Sequence, residues 1–203
     1  IGIDIVGAGV AGNIDGIKKL HQWLPEESDE QYAQAWEMAD YIPDIRSPSR
    51  VSSANLFDFG KANLIKTFGK DWHKQWSKIT ARRLIEWQVN TVGNWSDMAF
   101  ARASKTPYVM PMEGFPVTKN RIFRDFPDVF SRDYQQLSAK FAQQLASYKD
   151  DPYLIGYFMN NEPGWAYIPQ INLAEEVLSK GDGFVTKAKL IEFLSGKYQQ
   201  DIK

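Results

Sequence analysis

The chain has no cysteine, which removes disulfides, thiolate nucleophiles and cysteine-ligated zinc or iron–sulfur centres from consideration. Histidine is nearly as scarce. Only His21 and His73 occur, far apart in sequence, so neither a metal site nor a cofactor is expected. A charge excess is missing too: Lys plus Arg number 24 against 25 Asp plus Glu, a formal net charge of -1. That balance leaves no electrostatic footprint for nucleic acid or an anionic membrane surface. No apolar run approaches bilayer-spanning length and no charged-then-apolar segment opens the chain, so no membrane partner is expected. The chain also begins at Ile1 rather than Met, inside an apolar run, and removal of earlier sequence is expected.

What is present suits a packed core. The 203 residues are 43% hydrophobic and 14% aromatic. Ile1 to Val6 reads as a short buried strand, followed by a glycine-rich stretch through Gly16. A short helix is expected from Gln31 to Asp40, and Pro43, Pro48 and the serines from Ser47 to Ser53 make the following connection irregular. Trp72, Trp76, Ile79, Leu84 and Trp87 recur at helical spacing and predict a helix over 71–89. Ser131 caps a second amphipathic helix reaching Tyr148, with Tyr134, Leu137, Phe141, Leu145 and Tyr148 on one side. A last helix runs from Lys187 to Gln199.

Asn90 to Gly93, Tyr108 to Met112 and Leu154 to Met159 read as strands between these helices. The alternation predicts an α/β fold of parallel strands with covering helices, and the run at 154–159 is apolar enough to be buried on both faces. Counting gives four strand-plus-helix units in one domain, residues 1–203. A (β/α)8 TIM barrel needs eight such units and typically ~250 residues, so the N-terminal half of a barrel is expected here, with the remainder following Lys203.

Gly7-Ala8-Gly9-Val10-Ala11-Gly12 spells a dinucleotide-binding fingerprint directly after a strand. That chemistry requires a helix start at the third glycine and an acidic residue closing a second strand ~20 residues on. Asn13-Ile14-Asp15-Gly16 starts a helix poorly, so the alternative to a nicotinamide or flavin site is a glycine turn leaving the first strand.

Asn160-Asn161-Glu162-Pro163 follows the strand ending near Met159, at the carboxyl end where barrel active sites collect. Glycoside hydrolysis needs a carboxylic acid still protonated near neutrality, and Trp165 and Tyr167 nearby in sequence could supply the desolvation. Asn161 could bond a sugar hydroxyl without adding a competing charge. Asn-Glu-Pro is also an ordinary way to leave a strand, with the Glu solvated. At the end of the second strand Gly93-Asn94-Trp95-Ser96-Asp97 offers an amide, an indole face and a carboxylate, the combination that binds sugars. Trp95 packing under the long first loop is the plainer alternative. Glu113 and Asp4 could line a cleft or equally pair with an Arg or Lys. Phe115, Phe123, Phe126 and Phe130 either wall a cleft or pack loops.

Asn161-Glu162 at the end of a fourth strand resembles the acid/base signature of the retaining glycosidases of clan GH-A. The blocks Ala62-Asn63-Leu64, Arg83-Leu84-Ile85-Glu86-Trp87, Asn90 to Asp97, Gly156-Tyr157-Phe158 and Asn161-Glu162 are similar to family GH50 β-agarases and β-galactosidase-like enzymes. The resemblance implies hydrolysis of β-glycosidic bonds, with retention, in a galactose-containing polysaccharide or oligosaccharide. It assigns Glu162 as general acid/base and a Glu ending a seventh strand, outside this chain, as nucleophile. These residues alone are then expected to be inactive. Asn160-Asn161-Glu162-Pro163 departs from the Asp-Asn-Glu-Leu of that family, which leaves agarose specificity open. Secretion or periplasmic residence follows only for a polymeric substrate. Two other readings are a non-catalytic carbohydrate-binding barrel and an NAD- or FAD-dependent oxidoreductase.

Overall fold

The computed structural model describes residues 1–40, 53–166 and 168–198. They divide into two units, Ile1–Tyr108 and Val109–Lys203. Among them no helix is long and apolar enough to cross a membrane.

In the first unit, β1 (Gly2–Ile3) comes first and β2 (Gly12–Asn13) second. A 3-10 turn, Glu30–Ala35, leads into β3 (Trp36–Asp40), and β4 (Ser53–Phe57) follows. Then come α1 (Phe59–Phe68), α2 (Trp72–Glu86), β5 (Thr91–Val92), α3 (Met98–Ala103) and the start of β6 (Tyr108–Pro111). β1 pairs in parallel with β5, Ile3 opposite Val92, and β5 in parallel with β6, Val92 opposite Tyr108. This is the parallel α/β element that the alternation predicts. Beside it, β2, β4 and β3 form an antiparallel sheet in that order.

Several expectations need correction. Only Gly2–Ile3 of the first run is paired, and Ile1 and Ile5 are exposed, so the strand is shorter and wetter than its composition implies. The helix expected at 31–40 is instead the 3-10 turn and β3, because Trp36 to Asp40 pair with Phe57 to Ser53. Pairing between segments distant in sequence overrides the helix propensity of Glu, Met and Ala. α2 forms as predicted and buries Trp76 and Leu84, but Ile79 and Trp87 are exposed.

The dinucleotide fingerprint is also resolved by its surroundings. Gly12 and Asn13 enter a strand, where a nucleotide site requires a helix N-terminus. Gly9 is a packing glycine: a methyl there would collide with the carboxylate of Asp58, which caps α1 by accepting from the Lys61 N–H at 2.8 Å. The core behind this turn gathers Ile14, Tyr32, Ala35, Phe57, Ala62 and Ile65. Asp15 ties the turn to β4, accepting from the Asn55 backbone N–H at 2.9 Å and its amide at 3.1 Å. Those two bonds hold its carboxyl below the usual aspartate range.

In the second unit, the rest of β6 lies beside β9 (Leu154–Phe158), and the Met112 N–H donates to the Phe158 carbonyl at 2.9 Å. Between them stand β7 (Arg121–Phe123) and β8 (Phe126–Pro127), a small antiparallel pair, and α4 (Arg132–Ala142). Ser131 caps α4 as predicted, accepting from the Tyr134 N–H at 3.1 Å. Tyr134, Leu137, Phe141, Leu145 and Tyr148 are half-buried along one side, into the 3-10 turn Gln143–Ser147 that ends the element. α5 (Leu173–Leu178) and α6 (Val185–Lys197) complete the unit. Asp128, buried, accepts from the backbone N–H groups of Val185 (3.0 Å) and Thr186 (2.7 Å), fixing the start of α6. On α6, Leu190 and Leu194 are half-buried, whereas Ile191 and Tyr198 face water.

β9 is not buried on both faces. Its residues alternate, and Ile155 (58% exposed) and Tyr157 (38%) project to solvent. Apolar composition marks a strand without saying how many of its faces are covered.

Candidate functional site

The loop leaving β9 carries the predicted acid. Asn160, Asn161 and Glu162 are exposed, and the Asn161 N–H donates to the Asn160 side-chain oxygen at 2.9 Å. Glu162 has a φ of 41°, in the left-handed region that a side chain with a Cβ avoids. Downstream the loop is held firmly. The carboxylate of Asp125, in the β7–β8 turn, accepts from the Gly164 N–H at 2.8 Å and the Trp165 N–H at 3.0 Å. Arg124, itself at a φ of 49°, donates to the Gly164 carbonyl at 3.4 Å. Trp165 is half-buried, its ring 5.3 Å from that of Phe126. A turn brought in from about forty residues upstream thus sets the path of the chain just after Glu162. Sequence reasoning missed Asp125, whose only local signal is an acidic residue in a tight turn.

Glu113 is exposed, with its backbone clamped by Gln144: the Glu113 N–H donates to the Gln144 oxygen at 3.0 Å and the Gln144 amide donates back to the Glu113 carbonyl at 2.9 Å. Of the phenylalanine run, Phe126 meets Trp165, Phe115 meets Phe141 at 5.7 Å, and Phe130 is exposed. Tyr167 lies outside the described residues.

In the first unit, the residues ending β5 are tightly bound into the fold. Gly93 is required there, since a Cβ would sit 2.8 Å from the Asp4 backbone. Ser96 accepts from the Val6 N–H at 2.9 Å and donates to the Gly93 carbonyl at 2.9 Å. Asp97 caps α3 through the Phe100 N–H at 2.8 Å, and its other oxygen shares a 2.9 Å hydrogen bond with His73 Nε2. Asn94 is only 7% exposed, and neither end of its amide has a hydrogen-bond partner among the described residues. Trp95, at a φ of 58°, is about half exposed at 49%. Asp4 is exposed.

No family model matches the chain. Curated relatives do. Beta-agarase B of Vibrio sp. (strain JT0107) is 27% identical over 158 residues, 73% of this chain and 16% of that protein. Beta-agarase A of the same organism is 25% identical over 173 residues, 80% of this chain and 17% of that one. The chain therefore spans 16% and 17% of the lengths of these relatives. Among solved structures, the agarase AgWH50C superposes with a TM-score of 0.74 at 22% identity, covering 98% of this chain and 32% of that one. The chain has the fold of an agarase segment. PfGH50B gives 0.76 at 23% identity, again over 98% of this chain and 32% of its own, and an exo-beta-agarase gives 0.68 at 20% over 88% and 25%. The agarase-like fold thus holds across nearly the whole chain.

Proposed function

We propose that the chain supplies the general acid/base of a retaining glycoside hydrolase acting on β-glycosidic bonds of an agar-like, galactose-containing polysaccharide. What carries the reading is similarity to β-agarases over most of the chain, in a segment whose strand β9 is followed, four residues on, by an exposed Glu on a left-handed backbone. The proposed frame is a (β/α)8 barrel whose first four units these residues form. Loops at the carboxyl ends of such strands line the active site.

In this reaction the Glu162 carboxyl gives its proton to the glycosidic oxygen as the bond to the anomeric carbon breaks. A second carboxylate takes that carbon, and the Glu162 carboxylate then accepts a proton from the water that displaces it, so two inversions restore the configuration. Retaining geometry sets the two carboxyls ~5–5.5 Å apart. Asp125 does not suit the second role, because both its oxygens hold loop N–H groups. The proposed nucleophile lies outside these residues. Asn161 and Glu113 are assigned to sugar hydroxyls, Trp165 and Trp95 to the apolar faces of sugar rings, and Asp97 to holding the Trp95 loop in place, whereas the buried amide of Asn94 belongs to that loop's packing.

The test is hydrolysis of an agar-derived oligosaccharide by protein that includes the second carboxylate. Glu162→Gln should slow turnover by roughly 10²–10⁴-fold. An aryl galactoside whose leaving group needs no proton should lose far less. Equal activity in the variant and the parent would overturn the assignment of Glu162. Vigorous turnover by the 203 residues alone would overturn the placement of the nucleophile.

A further inference from the structure

We propose that a cavity in the first unit, built from none of the residues of the Glu162 loop, is a second carbohydrate subsite that takes a single neutral pyranose. The cavity measures about 590 Å³ and is lined by Lys18, His21, Gln22, Glu27, Ser28 and Trp36 among others. That volume falls within the range of small-ligand sites.

Three observations set the ligand chemistry. First, Trp36 is a fixed aromatic platform. Its ring lies 4.8 Å from that of buried Phe57, and the Lys18 ammonium stands 5.7 Å from the Trp36 ring centroid. A pyranose presents its C–H face to such a surface. Second, the charges cancel. Lys18 and Lys19 face Glu26 and Glu27, and Lys18 bonds Glu27 at 2.7 Å, so the cavity offers no net attraction to sulfate or phosphate. That pair is solvent-exposed and rearranges at little cost. Third, His21 Nε2 and Trp36 Nε1, both shut off from water, have no hydrogen-bond partner among the described residues. Unmet buried polar atoms are uncommon in folded proteins, and two of them belong to residues that line this one cavity. In the proposed complex Lys18 gives up the Trp36 ring to the sugar, and the His21 and Trp36 side chains turn so that its hydroxyls reach both atoms. His21 is kept in place by Phe59, 5.0 Å away.

The choice of probe rests on the carbohydrate reading above. A neutral agar-derived tetrasaccharide is titrated into the chain while the indole N–H signals of Trp36 and Trp165 are followed by NMR. The Trp36 signal should shift saturably. Trp36→Phe keeps the ring against Phe57 and His21→Phe keeps the stack on Phe59, while each removes one unmet polar atom. His21→Phe, read at the Trp36 signal, and Trp36→Phe, read by calorimetric titration of the same tetrasaccharide because it removes that signal, should each weaken binding about tenfold, with the melting temperature held or raised, which separates lost binding from lost folding. Glu162→Gln should leave the Trp36 shift unchanged. A saturable shift at Trp165 with Trp36 unmoved would overturn the subsite and leave the Glu162 reading standing. Tighter capture of a sulfated galactan oligosaccharide would overturn the neutral ligand. Silence at both indoles would overturn the subsite, while the hydrolysis assay judges the other reading by itself.

Discussion

The ends of β5 and β9 carry similar residues, an asparagine followed within a few positions by tryptophan and a carboxylate, and the fold treats them oppositely. After β5 the polar groups are drawn inward: Ser96 and Asn94 are buried, and Asp97 holds both α3 and His73. After β9 Asn160, Asn161 and Glu162 are exposed, and the stretch behind them is clamped by Asp125. The first end is a joint of the scaffold that presents one indole. The second is a tethered platform whose polar residues are exposed. Residue type alone does not distinguish a binding cluster from a structural knot, because Asn and Asp serve both; the hydrogen-bond partners decide.

Substitutions can break that contrast. Gly93→Ala should have the largest effect, since the added methyl meets rigid backbone of Asp4. A loss of about 1–3 kcal/mol is expected, read as a lower urea midpoint. Asp97→Ala removes a helix cap and the partner of His73, and should cost about 1 kcal/mol. Asp97→Asn should recover most of it, because an asparagine oxygen still caps. If Asp97→Ala proved neutral, the β5 end would not be a structural joint. Asp125→Ala should cost about 1 kcal/mol or less at its partly exposed site, yet speed amide hydrogen exchange at Gly164 and Trp165. Unchanged exchange there would remove the idea of a tethered platform. The smallest effect concerns pH. Asp15 has a folded pKa below its unfolded one, so its contribution is present above the ordinary aspartate value and fades as pH falls through the lower, folded value. Asn55→Ala removes the side-chain bond and keeps the larger, backbone one, so it should flatten the stability curve only in part, and in that acid window.

Much of the frame was legible in the sequence. The helical spacing of Trp72 to Trp87 found α2, Ser131 marked the start of α4, and apolar runs located β5, β6 and β9. These signals are local, fixed by neighbours within one or two turns of chain. The β3–β4 pairing was not legible, because it joins segments separated by the chain between 40 and 53 and because Gln31 to Asp40 has helix-forming composition. α1 went unread although Asp58 stands at its start as a cap. The Asn161-Glu162 pair was visible, whereas Asp125, which fixes the loop behind it, was hidden by a separation of 39 residues. Likewise no pattern joins His21 to Trp36, since only the fold makes them walls of one cavity.

The left-handed backbone at Glu162 has one more implication. Glycine or asparagine would sit there with less strain, by roughly 1–2 kcal/mol for the glycine. A laboratory selection that rewards heat tolerance alone should therefore enrich Gly or Asn at position 162, sturdier residues that lack the carboxylate the proposed reaction needs. Persistence of the carboxylate under such a screen would show that the conformation costs the fold nothing.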